Sequence, residues 1–182
     1  VTAKLEREWA RRLQHPYAVA TGSGQSALEI ALAGLLARHA GRYVVVQANA
    51  FVGDAMAVVR AGRQPLFVDC DETMQMNVDG LWRLVRRYGA EIAGVLCVHI
   101  GGWITNRMDE LEALCWENGW FLLEDACHAH GAQMGGHTVG YWSDAVVLSF
   151  YATKLVTGGE GGIISTNDEL LYAFARRARN NG

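Results

Sequence analysis

Short unbroken apolar runs alternate with longer amphipathic stretches along the whole chain. The runs Tyr17–Ala20, Tyr43–Gln47, Pro65–Val68, Ile92–His99, Trp120–Leu123, Ala145–Phe150 and Gly162–Ser165 read as strands. Runs of about four to eight residues with little polar alternation are what strands covered on both faces require. Between them, Ala27–Ala37, Gly53–Arg60, Gly80–Arg87, Arg107–Asn118 and Asp168–Arg179 repeat apolar residues at helical spacing, with charges on the other face. This β-α-β-α rhythm predicts a three-layer α/β/α fold around a mostly parallel seven-stranded sheet. The leading segment VTAKLEREWARRLQ is amphipathic and charged, unlike a secretory signal. No stretch reaches the roughly 18 uninterrupted apolar residues of a membrane span.

Composition agrees with a packed domain. Of the 182 residues, 51% are hydrophobic and 19% charged, the opposite of a disordered chain. A chain of this mass buries about 70% of its unfolded surface. The formal net charge of −3 supplies no basic field for nucleic acid. The four cysteines form no CxxC pair and mostly end apolar runs, which argues against a zinc knuckle or a disulfide framework. A reducing, cytoplasmic setting is expected.

In a parallel sheet, ligands bind beyond the C-terminal ends of the strands. The segments leaving those ends are GSGQS, ANAF, DCDE, HIGGW, EDACHAH and YATK, and the ionisable residues gather in them. Gly22–Ala27, GSGQSA, follows a strand and opens a helix, where glycines let backbone N–H groups approach an anion. A dinucleotide site would need a carboxylate at the end of the next strand, which instead ends Gln47-Ala48-Asn49. A phosphate cradle of another kind and a plain tight turn remain as readings. Glu124–His130, EDACHAH, puts two carboxylates and two imidazoles in seven residues. It reads as a metal site using Asp125, His128, His130 and His99, as a buried Asp125 paired with a cationic cofactor atom, or as ordinary loop polarity.

Only Lys4 and Lys154 supply ammonium groups. Lys4 lies in the charged N-terminal helix, so Lys154 stands alone in the body, after an apolar strand and before a glycine cluster. Such a lysine can serve as an amine nucleophile, or can be a solvated loop residue. An anion cradle, a buried carboxylate and a single lysine on one sheet edge together suggest pyridoxal 5'-phosphate (PLP). The cradle would take the phosphate, the carboxylate would keep the pyridine nitrogen protonated, and the lysine would join the cofactor aldehyde.

These segments resemble, in order, the DegT/DnrJ/EryC1/StrS family of PLP-dependent sugar aminotransferases, of the aspartate aminotransferase superfamily (fold type I). SGQSALEIAL resembles the family's SGTxAL segment. PLFVDCD, VHIGG, LLEDACHAHGA and VGYWSDAVVLSFYATKLVTGGEGGIISTND resemble successive family blocks, and RARNNG resembles an R-x-x-G ending. The resemblance implies that Lys154 carries the cofactor and moves the proton during transfer. It implies that Asp125 partners the pyridine nitrogen and that His128 lies against the ring. Gly24, Gln25, Ser26 and Ser149 then hold the phosphate, and Phe51 stacks on the pyridine. The substrate would be a keto-sugar, nucleotide-linked, with glutamate or glutamine as amino donor, and the protein a homodimer. Residues 1–182 would form the PLP-binding large domain of a longer family-type chain, the small C-terminal domain lying outside it.

Gln25 departs from the family's usual Thr, ANAF departs from its P-x-x-T-aromatic pattern, and His128 stands where Gln is common. A sugar 3-dehydratase of the same family would carry His where this chain has Lys154. A catalytically inert relative with a binding role, and an NAD module resting on GSGQSA alone, are the other readings.

Overall fold

The computed structural model describes residues 1–180, and the end of the RARNNG segment lies outside the described residues. A central sheet is built from β1 (Tyr17–Thr21), β2 (Tyr43–Gln47), β3 (Gln64–Val68), β4 (Ile92–Val98), β5 (Phe121–Asp125), β8 (Ala145–Ser149) and β9 (Gly162–Thr166). A small hairpin, β6 (Gln133–Met134) with β7 (His137–Thr138), stands apart from it. The helices are α1 (Thr2–Arg12), α2 (Gly24–Leu36), α3 (Val52–Arg60), α4 (Val78–Tyr88), α5 (Met108–Asn118) and α6 (Glu169–Ala178).

The sheet order is β1-β9-β8-β5-β4-β2-β3. Pairings from β3 across to β8 are parallel, while β9 runs antiparallel to both β8 and β1. Reversing β9 lets residues 150–161 turn back without a crossover helix. It leaves the C-terminal ends of β1, β2, β4, β5 and β8 on one edge.

Alternation along each strand decides which helices cover which face. Val44, Val46, Leu96, Leu123, Val147 and Ile164 pack with Ala27, Leu28, Ala31, Leu32 and Leu35 of α2, Val58 of α3 and Leu171 of α6. On the opposite face, Val45, Val95, Cys97 and Leu122 meet Leu81 of α4 and Leu111 and Leu114 of α5. Val146, Leu148 and Ile163 on that face meet Trp9 and Leu13 of α1. The fold is therefore the expected three-layer α/β/α, with seven strands in the main sheet.

Boundaries differ from the sequence reading for local reasons. The strand read as Trp120–Leu123 runs instead from Phe121 through Asp125, because Glu124 and Asp125 stay in register with Cys97 and Val98. The Glu124 charge is tolerated inside the sheet because its carboxylate faces His99 and accepts the Gly140 N–H. Helix α2 begins at Gly24 rather than Ala27, since the Ser23 hydroxyl caps it by accepting the Ser26 N–H at 3.0 Å. The β6–β7 hairpin escaped the pattern: its strands are two residues long, and its turn rests on Gly135 and Gly136, both at positive φ.

Candidate active site

A cavity of about 420 Å³ opens at the C-terminal edge of the sheet. Each wall is a strand end or the segment that leaves it. After β1 come Ser23, Gly24 and Gln25; after β2, Phe51 and Asp54; at the ends of β4 and β5, Val98, Asp125, Cys127 and His128; after β8, Ser149, Tyr151 and Lys154. Five separate stretches of sequence thus converge because their strands lie in one sheet.

One end of the cavity is shaped for an anion. The first turn of α2 directs its N–H groups and the positive end of the helix dipole there. Gly24 lies so close to the end of β8 that a Cβ would stand 2.6 Å from Ser149 Cβ and 3.2 Å from Cys127 Sγ. A side chain at position 24 would collide with Ser149 and Cys127, so glycine is what lets the start of α2 meet the end of β8. Ser149 Oγ accepts the Tyr151 N–H at 3.3 Å, which leaves its own proton to donate. Gln25 lines the cavity, but its amide is held away from the anion end, donating to Glu29 at 2.9 Å and to Gly53 O at 3.0 Å. Ser26 is not among the lining residues; its hydroxyl sits 3.0 Å from Ser23 Oγ and its N–H is used by the cap.

The floor is acidic. Asp125, 8% exposed at the end of β5, accepts the Cys127 N–H on Oδ1 at 2.8 Å. Asp54, 2% exposed on the first turn of α3, lines the same cavity beside Asp125, and burial, with the neighbouring Asp125 carboxyl, pushes its pKa up to about 9. Burial also pushes the Cys127 thiol up, with the Asp125 charge acting the same way, so it stays protonated. Burial and the Lys154 cation hold His128 below the usual imidazole range, leaving it neutral at pH 7. The Lys154 backbone N–H donates to Tyr151 O at 2.9 Å, closing the turn that presents its side chain to the cavity. Phe51, 73% exposed, stands at the mouth.

Gly24, Gln25, Phe51, Asp125, His128, Ser149 and Lys154 therefore share one cavity, while Ser26 supports it from behind. Sequence reasoning did not select Ser23 or Asp54. Ser23 lies inside the GSGQSA motif, and Asp54 inside the segment Gly53–Arg60 that reads as a helix. The metal reading of the EDACHAH segment finds no support. His99 turns inward to Glu124 at 2.7 Å, and His130 bonds to Ser149 O at 2.7 Å. Among the described residues no group of three or more His, Cys, Asp or Glu side chains is arranged to hold a metal.

The chain is 29% identical over 180 residues to a GDP-perosamine synthase of Vibrio cholerae, covering 98% of this chain and 48% of that protein. A solved aminotransferase from Psychrobacter cryohalolentis superposes with a TM-score of 0.89 at 33% identity, over 96% of this chain and 44% of the other. NtdA from Bacillus subtilis, solved with its bound cofactor PMP, gives a TM-score of 0.82 at 28% identity, over 96% of this chain and 38% of the other. The chain spans less than half the length of each of these relatives. A family model matches residues 1–182, and the chain belongs to the DegT/DnrJ/EryC1/StrS aminotransferase family.

Proposed function

We propose that this protein is a PLP-dependent aminotransferase that converts a keto-sugar, nucleotide-linked, to an amino-sugar with glutamate or glutamine as donor. One observation carries this reading: Lys154, Asp125 and the Gly24–Ser149 cradle line a single cavity. Residues 1–182 act as the cofactor-binding large domain. The relative whose name states a GDP-linked product supports the nucleotide-sugar class.

Each residue has a task that its surroundings suit. The first turn of α2 and the Ser149 hydroxyl bind the phosphate, and the missing Cβ at Gly24 lets these two groups come together. Asp125 orients and holds a proton at the ring nitrogen, from a site dry enough to make that contact strong. Neutral His128 lies against the ring, and Phe51 closes its exposed face against water. Bound PLP supplies the electron sink and carries the amino group between two half-reactions. The Lys154 amine would hold the cofactor and, once the amino donor has displaced it, would serve as general base and acid, taking the donor's Cα proton and delivering it to the cofactor side of the transferred nitrogen. A lysine at 154 is also why a dehydratase reading is set aside.

Phe51 at the cavity, and Val52, Trp103 and Leu155 on the segments that leave the same edge of the sheet, are apolar and 66–79% exposed, and suit burial in a homodimer. No helix among the described residues is long and apolar enough to cross a membrane, and we place the enzyme in the cytoplasm. The test is reduction with borohydride in the presence of PLP, followed by peptide mass mapping and half-reactions with glutamate and glutamine. Attachment at Lys154 and a spectral change with either donor are expected. Attachment elsewhere, or no change with any donor, overturns the reading.

A further inference from the structure

The floor of the cavity holds two carboxyl groups where the proposed chemistry uses one. Asp54 comes from α3 and Asp125 from β5; both are more than nine-tenths buried, both line the same cavity, and their carboxyl groups are close neighbours there. Two carboxylate oxygens cannot share a hydrogen bond unless one group keeps its proton.

The donors decide which group stays ionised. Asp125 is surrounded by them: the Cys127 N–H lies on Oδ1 at 2.8 Å, and the Cys127 thiol points to the same carboxyl group. Asp54 is the more deeply buried of the two and has only its own backbone amide besides Asp125. Its place in the first turn of α3 favours the charged form only weakly, because such dipole effects are small beside the desolvation of a buried carboxylate. The charged and titratable groups facing Asp54 are Asp125, the Cys127 thiol and Lys154, of which only Lys154 favours ionisation.

We propose that Asp54 is a positioning residue: its carboxyl keeps the single proton of a carboxyl–carboxylate pair and donates it to Asp125, which therefore faces the cofactor ring nitrogen as one oriented anion. The second half of this statement rests on the PLP reading above; the first half does not. The bond holds the Asp125 carboxylate in one orientation, and a neutral Asp54 keeps a second negative charge out of the cavity that both residues line. No proton leaves the pair when a cationic ring nitrogen arrives.

The test uses Asp54→Asn, which keeps a donor but cannot titrate, and Asp54→Ala, which keeps neither property. Without cofactor, urea unfolding is followed from pH 6 to pH 8. The folded wild type holds a proton across this range that the unfolded chain has lost. The ratio of the wild-type unfolding constant to that of Asp54→Asn should therefore rise by up to about 100-fold. A ratio that does not change with pH overturns the shared proton, whatever the absolute stabilities. Isotope-edited infrared spectra of aspartate-labelled protein should show a protonated-carboxyl band at pH 7 that is weaker in Asp54→Asn; equal bands overturn it too. With pyridoxamine phosphate as probe, Asp54→Ala should weaken binding at least tenfold, and Asp54→Asn should restore it to within about threefold of wild type. Equal damage by both variants overturns the positioning role. If wild type itself fails to bind the probe, the PLP reading fails, while the unfolding and infrared arms still decide the pair.

Discussion

Gly24 on α2 and Ser149 at the end of β8 approach so closely that a Cβ on residue 24 would stand 2.6 Å from Ser149 Cβ. This contact joins a helix N-terminus to a strand-end hydroxyl, residues 125 positions apart in sequence. Overpacking of this kind costs about 1–3 kcal/mol. Gly24→Ala should lower stability by that amount in urea unfolding and weaken inorganic phosphate and PLP binding together. Unchanged affinity for both would remove the cradle from this end of the cavity.

Lys154→Ala should abolish borohydride-stable attachment of PLP, and Lys154→Arg should do the same, because a guanidinium keeps its proton and is no nucleophile. Intact mass before and after reduction reads the result. Retention of the cofactor mass in either variant would reassign the covalent residue.

In the proposed reaction, Asp125→Asn retains shape while removing the charge that would face the ring nitrogen. Loss of one preorganised charge contact in a dry site is worth about 3–4 kcal/mol in the transition state. Turnover should fall by roughly a hundredfold or more, with a smaller change in cofactor affinity. Unchanged turnover would exclude Asp125 from the chemistry.

His99 and Glu124 are both fully buried and 2.7 Å apart, and Glu124 also accepts the Gly140 N–H at 2.9 Å. Removing one member of such a pair strands the other and costs about 3–5 kcal/mol. Glu124→Ala should show this loss in urea unfolding. A loss under 1 kcal/mol would mean that the site relaxes to admit water.

His15 is buried between Ser165 Oγ and Gly140 O, each at 3.0 Å, and burial holds its imidazole below the ordinary 6.5. The unfolded chain therefore takes up this proton at higher pH than the folded one. The resulting stability is present above pH 6.5 and is lost as the pH falls toward the folded value. The drop in urea midpoint from pH 7.5 to pH 5.5 should be smaller in His15→Gln than in wild type. An equal drop would show that other groups govern acid sensitivity.

The apolar runs by themselves determined the strands, because a strand covered on both faces must be apolar at nearly every position; Val44–Val46 and Val146–Leu148 could be read without neighbours. They also determined where chemistry could lie, since loops at the C-terminal edge cannot be filled with core residues. Lys154 stood out by scarcity and Asp125 by its place after a buried run. Only the tertiary structure decided what each polar group faces. It sent His99 into the core against Glu124, turned Gln25 toward Gly53, and moved the Ser26 hydroxyl behind Ser23. It also set Asp54 against Asp125, across 71 positions of chain. Periodicity reports whether a position is buried, but the partner of a buried charge is chosen by packing between elements distant in sequence. For that reason the layers and the isolated Lys154 were plain from the chain, whereas the paired carboxyls in the cavity appear only once α3 and β5 are brought together.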